Sequence, residues 1–172
     1  LRLRRTIPQK ATSGRNILEF VKVLDIGLQS VAMNIARIRH EIEFCAAFRL
    51  EMPGATDTEN RAAFGVCFSP NFHGHNYRLA VSVEGPIDAR SGMVMDYANL
   101  ADLIQTRIFA QVDHRNLNLD VGFLQGVIPT SENLAVAFWH ELASGLPAGV
   151  SLVEIELQES RDNTVIFHGP QS

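Results

Sequence analysis

A chain of 172 residues is long enough for one domain with a full hydrophobic core. Its net charge of −4 has the wrong sign for a nucleic-acid footprint, and two cysteines, Cys45 and Cys67, are too few for a disulfide framework, so a reducing, cytoplasmic setting is expected. No apolar run approaches the roughly 18 residues that span a bilayer, so no membrane partner is expected either.

Arg2, Arg4, Arg5, Lys10 and Arg15 all precede the first acid, Glu19. Such a start has the composition of a transit peptide, or simply of an extension ahead of the domain. Residues 1–37 are read as that extension, of unknown role, and residues 38–172 as the domain. From Ile17 to Ile38, the residues Phe20, Val21, Leu24, Leu28, Val31 and Ile35 recur at helical spacing and predict an amphipathic helix, weakened at Gly27. Ile38–Leu50 then alternates as a strand, with Ile42, Phe44, Ala46, Phe48 and Leu50 on one face and Glu41, Glu43 and Arg49 on the other. Glu51–Phe72 reads as a long loop, of the kind that carries function.

Tyr77, Leu79, Val81 and Val83 give a second strand, ended by Gly85-Pro86. Asp96 caps a helix whose stripe is Leu100, Leu103, Ile104 and Ile108, and Thr130 caps another built on Leu134, Phe138 and Leu142. The last unit is a hairpin, with Val153, Ile155 and Leu157 facing one way, Asn163 in the turn, and Val165 and Phe167 returning. Two strands, two helices and two strands make an α+β fold.

Chemistry concentrates around Cys67 to Tyr77. His73 and His75 project to one side of an extended chain and can share one metal ion, zinc by ligand type. Cys67 lies six residues upstream, on a loop made by Pro70 and Asn71. A thiol near a possible metal reads as chemistry, although a His-x-His pair or a lone cysteine also serves plain packing. Alternation assigns Glu159 to the apolar face of its strand. An unpartnered carboxylate there is costly, so it has a protein cation or a donor-bearing ligand beside it, or the strand ends before it.

Six motifs in this order, FCAAFRL at 44–50, the Cys67–Tyr77 stretch, SGMVMDY at 91–97, DHRNLN at 113–118, PTSEN at 129–133 and QESRDN at 158–163, resemble the 6-pyruvoyl-tetrahydropterin synthase family, which includes 6-carboxy-tetrahydropterin synthases. The resemblance runs from about Glu43 to Gly169. It implies a tunnelling fold (T-fold), a four-stranded antiparallel sheet with two helices on one face, assembled into ring-like homo-oligomers, hexamers by preference, with sites at subunit interfaces. It implies that His73 and His75 bind Zn2+, that Cys67 is the catalytic thiol with Asp113 and His114 as proton relay, and that Glu159 anchors the pterin ring, with Thr130 and Glu132 also at the substrate. The implied substrate is 7,8-dihydroneopterin triphosphate, which loses triphosphate to give 6-pyruvoyl-tetrahydropterin. The five residues between Cys67 and His73 resemble this pyruvoyl branch; the alternative is 6-carboxy-tetrahydropterin formation for deazapurine synthesis. One position departs from the pattern. Where the family carries a third zinc histidine this chain has Phe48, and His40, on the same face, is about 26 Å away along an extended strand. Phenylalanine cannot ligate zinc, so a zinc-depleted, non-catalytic pterin binder is a further reading.

Overall fold

Alternation of apolar and polar residues forms the strands and also decides which face of the sheet is covered. The computed structural model describes residues 33–171. The elements are β1 (Ile35–Phe48), α1 (Asp57–Phe64), β2 (His73–Pro86), α2 (Tyr97–Ile104), β3 (Arg115–Asn116), α3 (Ser131–Ala143), β4 (Ser151–Ser160) and β5 (Asn163–Phe167). Helix α2 runs on through a π-helical turn, Gln105–Phe109, into a last helical turn, Ala110–Val112.

The strands lie in the order β3-β1-β2-β4-β5, with β3 parallel to β1 and every other pair antiparallel. The α+β class is as expected, but the expected four-stranded antiparallel sheet is five-stranded and mixed. The added strand, β3, is two residues long, too short to show any alternation. Its pairing of Ala46 with Arg115 and Ala47 with Asn116 pins the end of the α2 rod to β1.

One face of the sheet is covered by α2 and α3. Phe44, Ala46 and Phe48 of β1, Tyr77, Leu79, Val81 and Val83 of β2, and Ile155 and Leu157 of β4 meet Leu100, Ile104 and Ile108 from the α2 rod and Leu134, Phe138 and Leu142 from α3. The opposite face carries a lattice of charges, in which Arg39 bridges Glu41 and Glu156 while Arg78 bridges Glu41 and Glu43. On a half-exposed surface such pairs contribute little each, about 0–1 kcal/mol.

Three expectations change. The helix predicted over Ile17–Ile38 falls largely outside the described residues, and Ile35–Ile38 belong to β1, which starts three residues before the expected boundary at 38. The expected loop Glu51–Phe72 contains α1, opened by a reciprocal capping box: the Thr56 hydroxyl accepts from the Glu59 N–H and the Glu59 carboxylate accepts from the Thr56 N–H. In β4 a bulge opposite Ser82 and Val83 turns Val153 aside, and Leu152 is the buried residue in its place. No described helix is long and apolar enough to cross a membrane.

Candidate functional site

β2 begins at His73, so His73, His75 and Tyr77 share its covered face in succession. The two imidazole centroids are 5.2 Å apart. Across the ladder Phe48 pairs with His73, and its ring, 1% exposed, lies 4.5 Å from the His73 ring and 5.7 Å from that of His75. Phe48 thus fills the third corner of the histidine cluster. Catalytic zinc takes three protein donors and an open position. Two imidazoles and a phenyl ring do not make that set, although the buried His73 Nδ1 has no partner among the described residues. Burial, and secondly the neighbouring His75, push the His73 pKa down despite the opposing pull of Glu159, so this imidazole favours its neutral form. At Gly74, between the two histidines, a Cβ would stand 2.8 Å from the Ala46 carbonyl oxygen, so glycine is what lets β1 and β2 close up.

Cys67 ends a short 3-10 turn, Gly65–Cys67, behind α1. Its carbonyl accepts from the Leu50 N–H at 3.0 Å, which ties the thiol loop to the end of β1. Buried Asn60 braces the same loop, accepting from Met52 N–H at 2.7 Å and donating to the Ala55 and Thr56 carbonyls. Arg49 lies against the rings of Phe68 and Phe72, 5.0 and 5.9 Å from their centroids. Phe72, at φ 60°, holds a left-handed conformation just before the first histidine.

A cavity of about 520 Å³ opens here, lined by Cys67, Phe48, Thr130, Ser131, Glu132 and Glu159 among others. Glu159 has protein partners. One oxygen accepts from Ser131 Oγ at 2.7 Å and the other faces His75 Nε2 at 3.3 Å. Ser131 is the first residue of α3, whose N-terminus favours a negative charge, and Thr130 caps that helix by accepting from the Asn133 N–H. Burial raises the Cys67 pKa, and the Glu159 charge raises it further. The Tyr77 hydroxyl, buried without a partner among the described residues, is pushed strongly up by burial, then by Glu159 and Cys67, and stays a phenol.

Asp113 and His114 lie elsewhere. They follow the α2 rod at the corner into β3, where Asp113 Oδ1 accepts from the Cys45 N–H at 3.0 Å and the His114 N–H donates to the Cys45 carbonyl at 2.7 Å. Asp113 Oδ2 meets His114 Nδ1 at 2.8 Å. Burial would raise the Asp113 pKa, but the Cys45 N–H and His114 outweigh it and hold the carboxyl below its usual value. His114, at φ 55° and with its side chain 79% exposed, lines a second cavity of about 620 Å³ together with Cys45, Gly74 and Asn76. Within one chain, then, Cys67 joins Glu159, Thr130 and Glu132 in one cavity, and the Asp113–His114 pair belongs to another. Sequence reading missed Ser131, Asn60 and Cys45. The first was legible as the donor-bearing neighbour of Thr130; the other two required tertiary contacts.

The family model described as 6-pyruvoyl tetrahydropterin synthase matches residues 37–170. The 6-pyruvoyl tetrahydrobiopterin synthases of Pongo abelii and Homo sapiens are 41% and 40% identical over 134 residues, 78% of this chain and 92% of each relative. The solved structure of the Caenorhabditis elegans 6-pyruvoyl tetrahydropterin synthase superposes with a TM-score of 0.75 at 36% identity, covering 80% of this chain and 98% of that one. The chain belongs to the 6-pyruvoyl tetrahydropterin synthase family.

Proposed function

We propose that the protein is a pterin-biosynthesis enzyme that eliminates triphosphate from 7,8-dihydroneopterin triphosphate to give 6-pyruvoyl-tetrahydropterin. The observation that carries this reading is Glu159 in the lining of the Cys67 cavity, an acceptor carboxylate held by Ser131 in the same space as the one thiol on that side of the sheet. A pterin offers its amino group and ring N–H as donors to such a carboxylate, and charge-assisted bonds of this kind are the strong ones. Thr130 and Glu132 border the same space.

The chemistry requires a proton to leave a side-chain carbon while the neighbouring C–O bond to triphosphate breaks. The electron pair of the C–H bond becomes an enol that settles as a ketone. The second ketone forms as the ring C=N takes up the hydrogen that the first side-chain carbinol gives up, so no external oxidant is consumed. Cys67 is the group placed for proton transfer, but burial and Glu159 keep it as a thiol in the single chain. A cation must approach to favour the thiolate. We assign that role to His114 of a second copy, oriented by its own Asp113, so that the thiol cavity of one chain and the His114 cavity of another make one site in a ring-like homo-oligomer. The exposure of His114 supports this arrangement.

Family zinc chemistry is not supported by this chain's donors, because Phe48 stands in the third position. The same observation favours a second reading, a pterin binder without turnover. Incubation with 7,8-dihydroneopterin triphosphate separates the readings. Triphosphate with 6-pyruvoyl-tetrahydropterin supports the proposal, triphosphate with acetaldehyde identifies the 6-carboxy branch, and pterin binding without triphosphate leaves the binder.

A further inference from the structure

We propose that Cys45, Asp113 and His114 form a binding site for a divalent cation of the zinc or cobalt type, on the face of the sheet away from His73 and His75. The strand itself creates it. Phe44, Ala46 and Phe48 point into the core, so Cys45 points out of it. The parallel pairing of β3 beside Ala46 and Ala47 then lays the α2–β3 corner against Cys45. The Cys45 N–H donating to the Asp113 carboxylate, the His114 N–H donating to the Cys45 carbonyl, and the Asp113–His114 contact at 2.8 Å hold that corner.

A sulfur, a carboxylate oxygen and a ring nitrogen consequently lie within 4.8 Å of one another. In a tetrahedral zinc site the sulfur and nitrogen stand about 3.5 Å apart, from bond lengths near 2.3 and 2.0 Å. Closing to that separation takes a rotation of the exposed His114 side chain, which exchanges its Asp113 contact for the cation. A carboxylate oxygen keeps lone-pair capacity beyond the one hydrogen bond each accepts here. Thiolate and imidazole together select zinc or cobalt over magnesium and calcium. Three donors leave a fourth position facing the cavity that Cys45 and His114 line with Asn76. On binding, the thiol proton goes to solvent, and thiolate and carboxylate balance the two charges of the cation. Occupancy withdraws His114 from proton transfer, so a filled site opposes the proposed reaction.

The test is a cobalt(II) titration of the purified full chain, read by its thiolate-to-cobalt charge-transfer absorption without substrate, so that it stands independently of the proposed reaction. One equivalent should develop the band, Cys67→Ser should retain it, and Cys45→Ser should abolish it. His114→Ala removes an exposed side chain and serves if Cys45→Ser does not fold; it should weaken cobalt binding by at least about tenfold. Absence of the band in the parent chain overturns the proposal. So does a band that survives Cys45→Ser and disappears in Cys67→Ser, or one indifferent to His114→Ala.

Discussion

Phe48→His restores an imidazole to the corner that Phe48 fills, and the structure sets what this should cost and return. The ring it replaces is 1% exposed and packed against His73 and Tyr77. Lost packing and a buried nitrogen without a partner together cost about 2–4 kcal/mol in the metal-free protein. For a chain of this size, that is a fall in melting temperature of roughly 4–16 °C. Zinc at a hundred times its dissociation constant should return about 2.7 kcal/mol, or roughly 5–11 °C. Thermal unfolding with and without zinc measures both changes, with zinc per chain by elemental analysis alongside. Both proteins carry Cys45→Ser so that the other face of the sheet does not contribute. The Phe48 chain should be unmoved by zinc. Equal stabilisation of both chains, or none in Phe48→His, refutes the claim that Phe48 is what removes the third ligand.

Other predictions follow from single contacts. Glu159→Gln removes the charged acceptor and should weaken biopterin binding by about 1.5–3 kcal/mol, roughly 10- to 150-fold by calorimetry; unchanged affinity discards the anchor role. Asn60→Ala breaks three buried hydrogen bonds of the thiol loop and should cost about 2–4 kcal/mol in urea unfolding, whereas a loss below 0.5 kcal/mol, roughly the least that one such bond contributes, contradicts the bracing role. In a dilute Cys45→Ser chain, alkylation of Cys67 should reach half its maximal rate at a pH above the free-thiol value, since burial and Glu159 both favour the thiol, and Glu159→Gln should move that midpoint down. The linked stability has a definite sign. With the folded pKa raised, the contribution is complete below the unfolded value and fades as pH rises through the folded one. An alkylation midpoint below the free-thiol value in the dilute chain contradicts the assignment.

Most of the covered sheet face is legible because period-2 alternation reports burial directly, as it does for Phe44, Ala46 and Phe48, and the 3.6-residue period does the same for the helical stripes Leu100, Ile104, Ile108 and Leu134, Phe138, Leu142. The two imidazoles sharing a face, and Glu159 on the apolar face of its strand, follow from the same rule. What alternation cannot report is anything shorter than its own period or set by a distant partner. β3 has two residues, the bulge at Val153 depends on Ser82 across the ladder, and Cys45 gains its neighbours only when α2 returns to β1. The capping box of α1 was readable as Thr-x-x-Glu, but a mostly polar helix lacks the apolar stripe that would draw attention to it.

The central claim is that Cys67 of one copy and His114 of another complete a triphosphate-eliminating site. The direct measurement is triphosphate release from 7,8-dihydroneopterin triphosphate by Cys67→Ala, by His114→Ala, and by the two variants refolded together. Each alone should be inactive, and the mixture should recover about a quarter of the parent rate, the share of interfaces in a random 1:1 ring that unite two intact halves. No recovery from the mixture of two well-folded variants, with an active parent, would contradict a shared site, and a parent that binds pterin yet releases no triphosphate would contradict the enzyme itself.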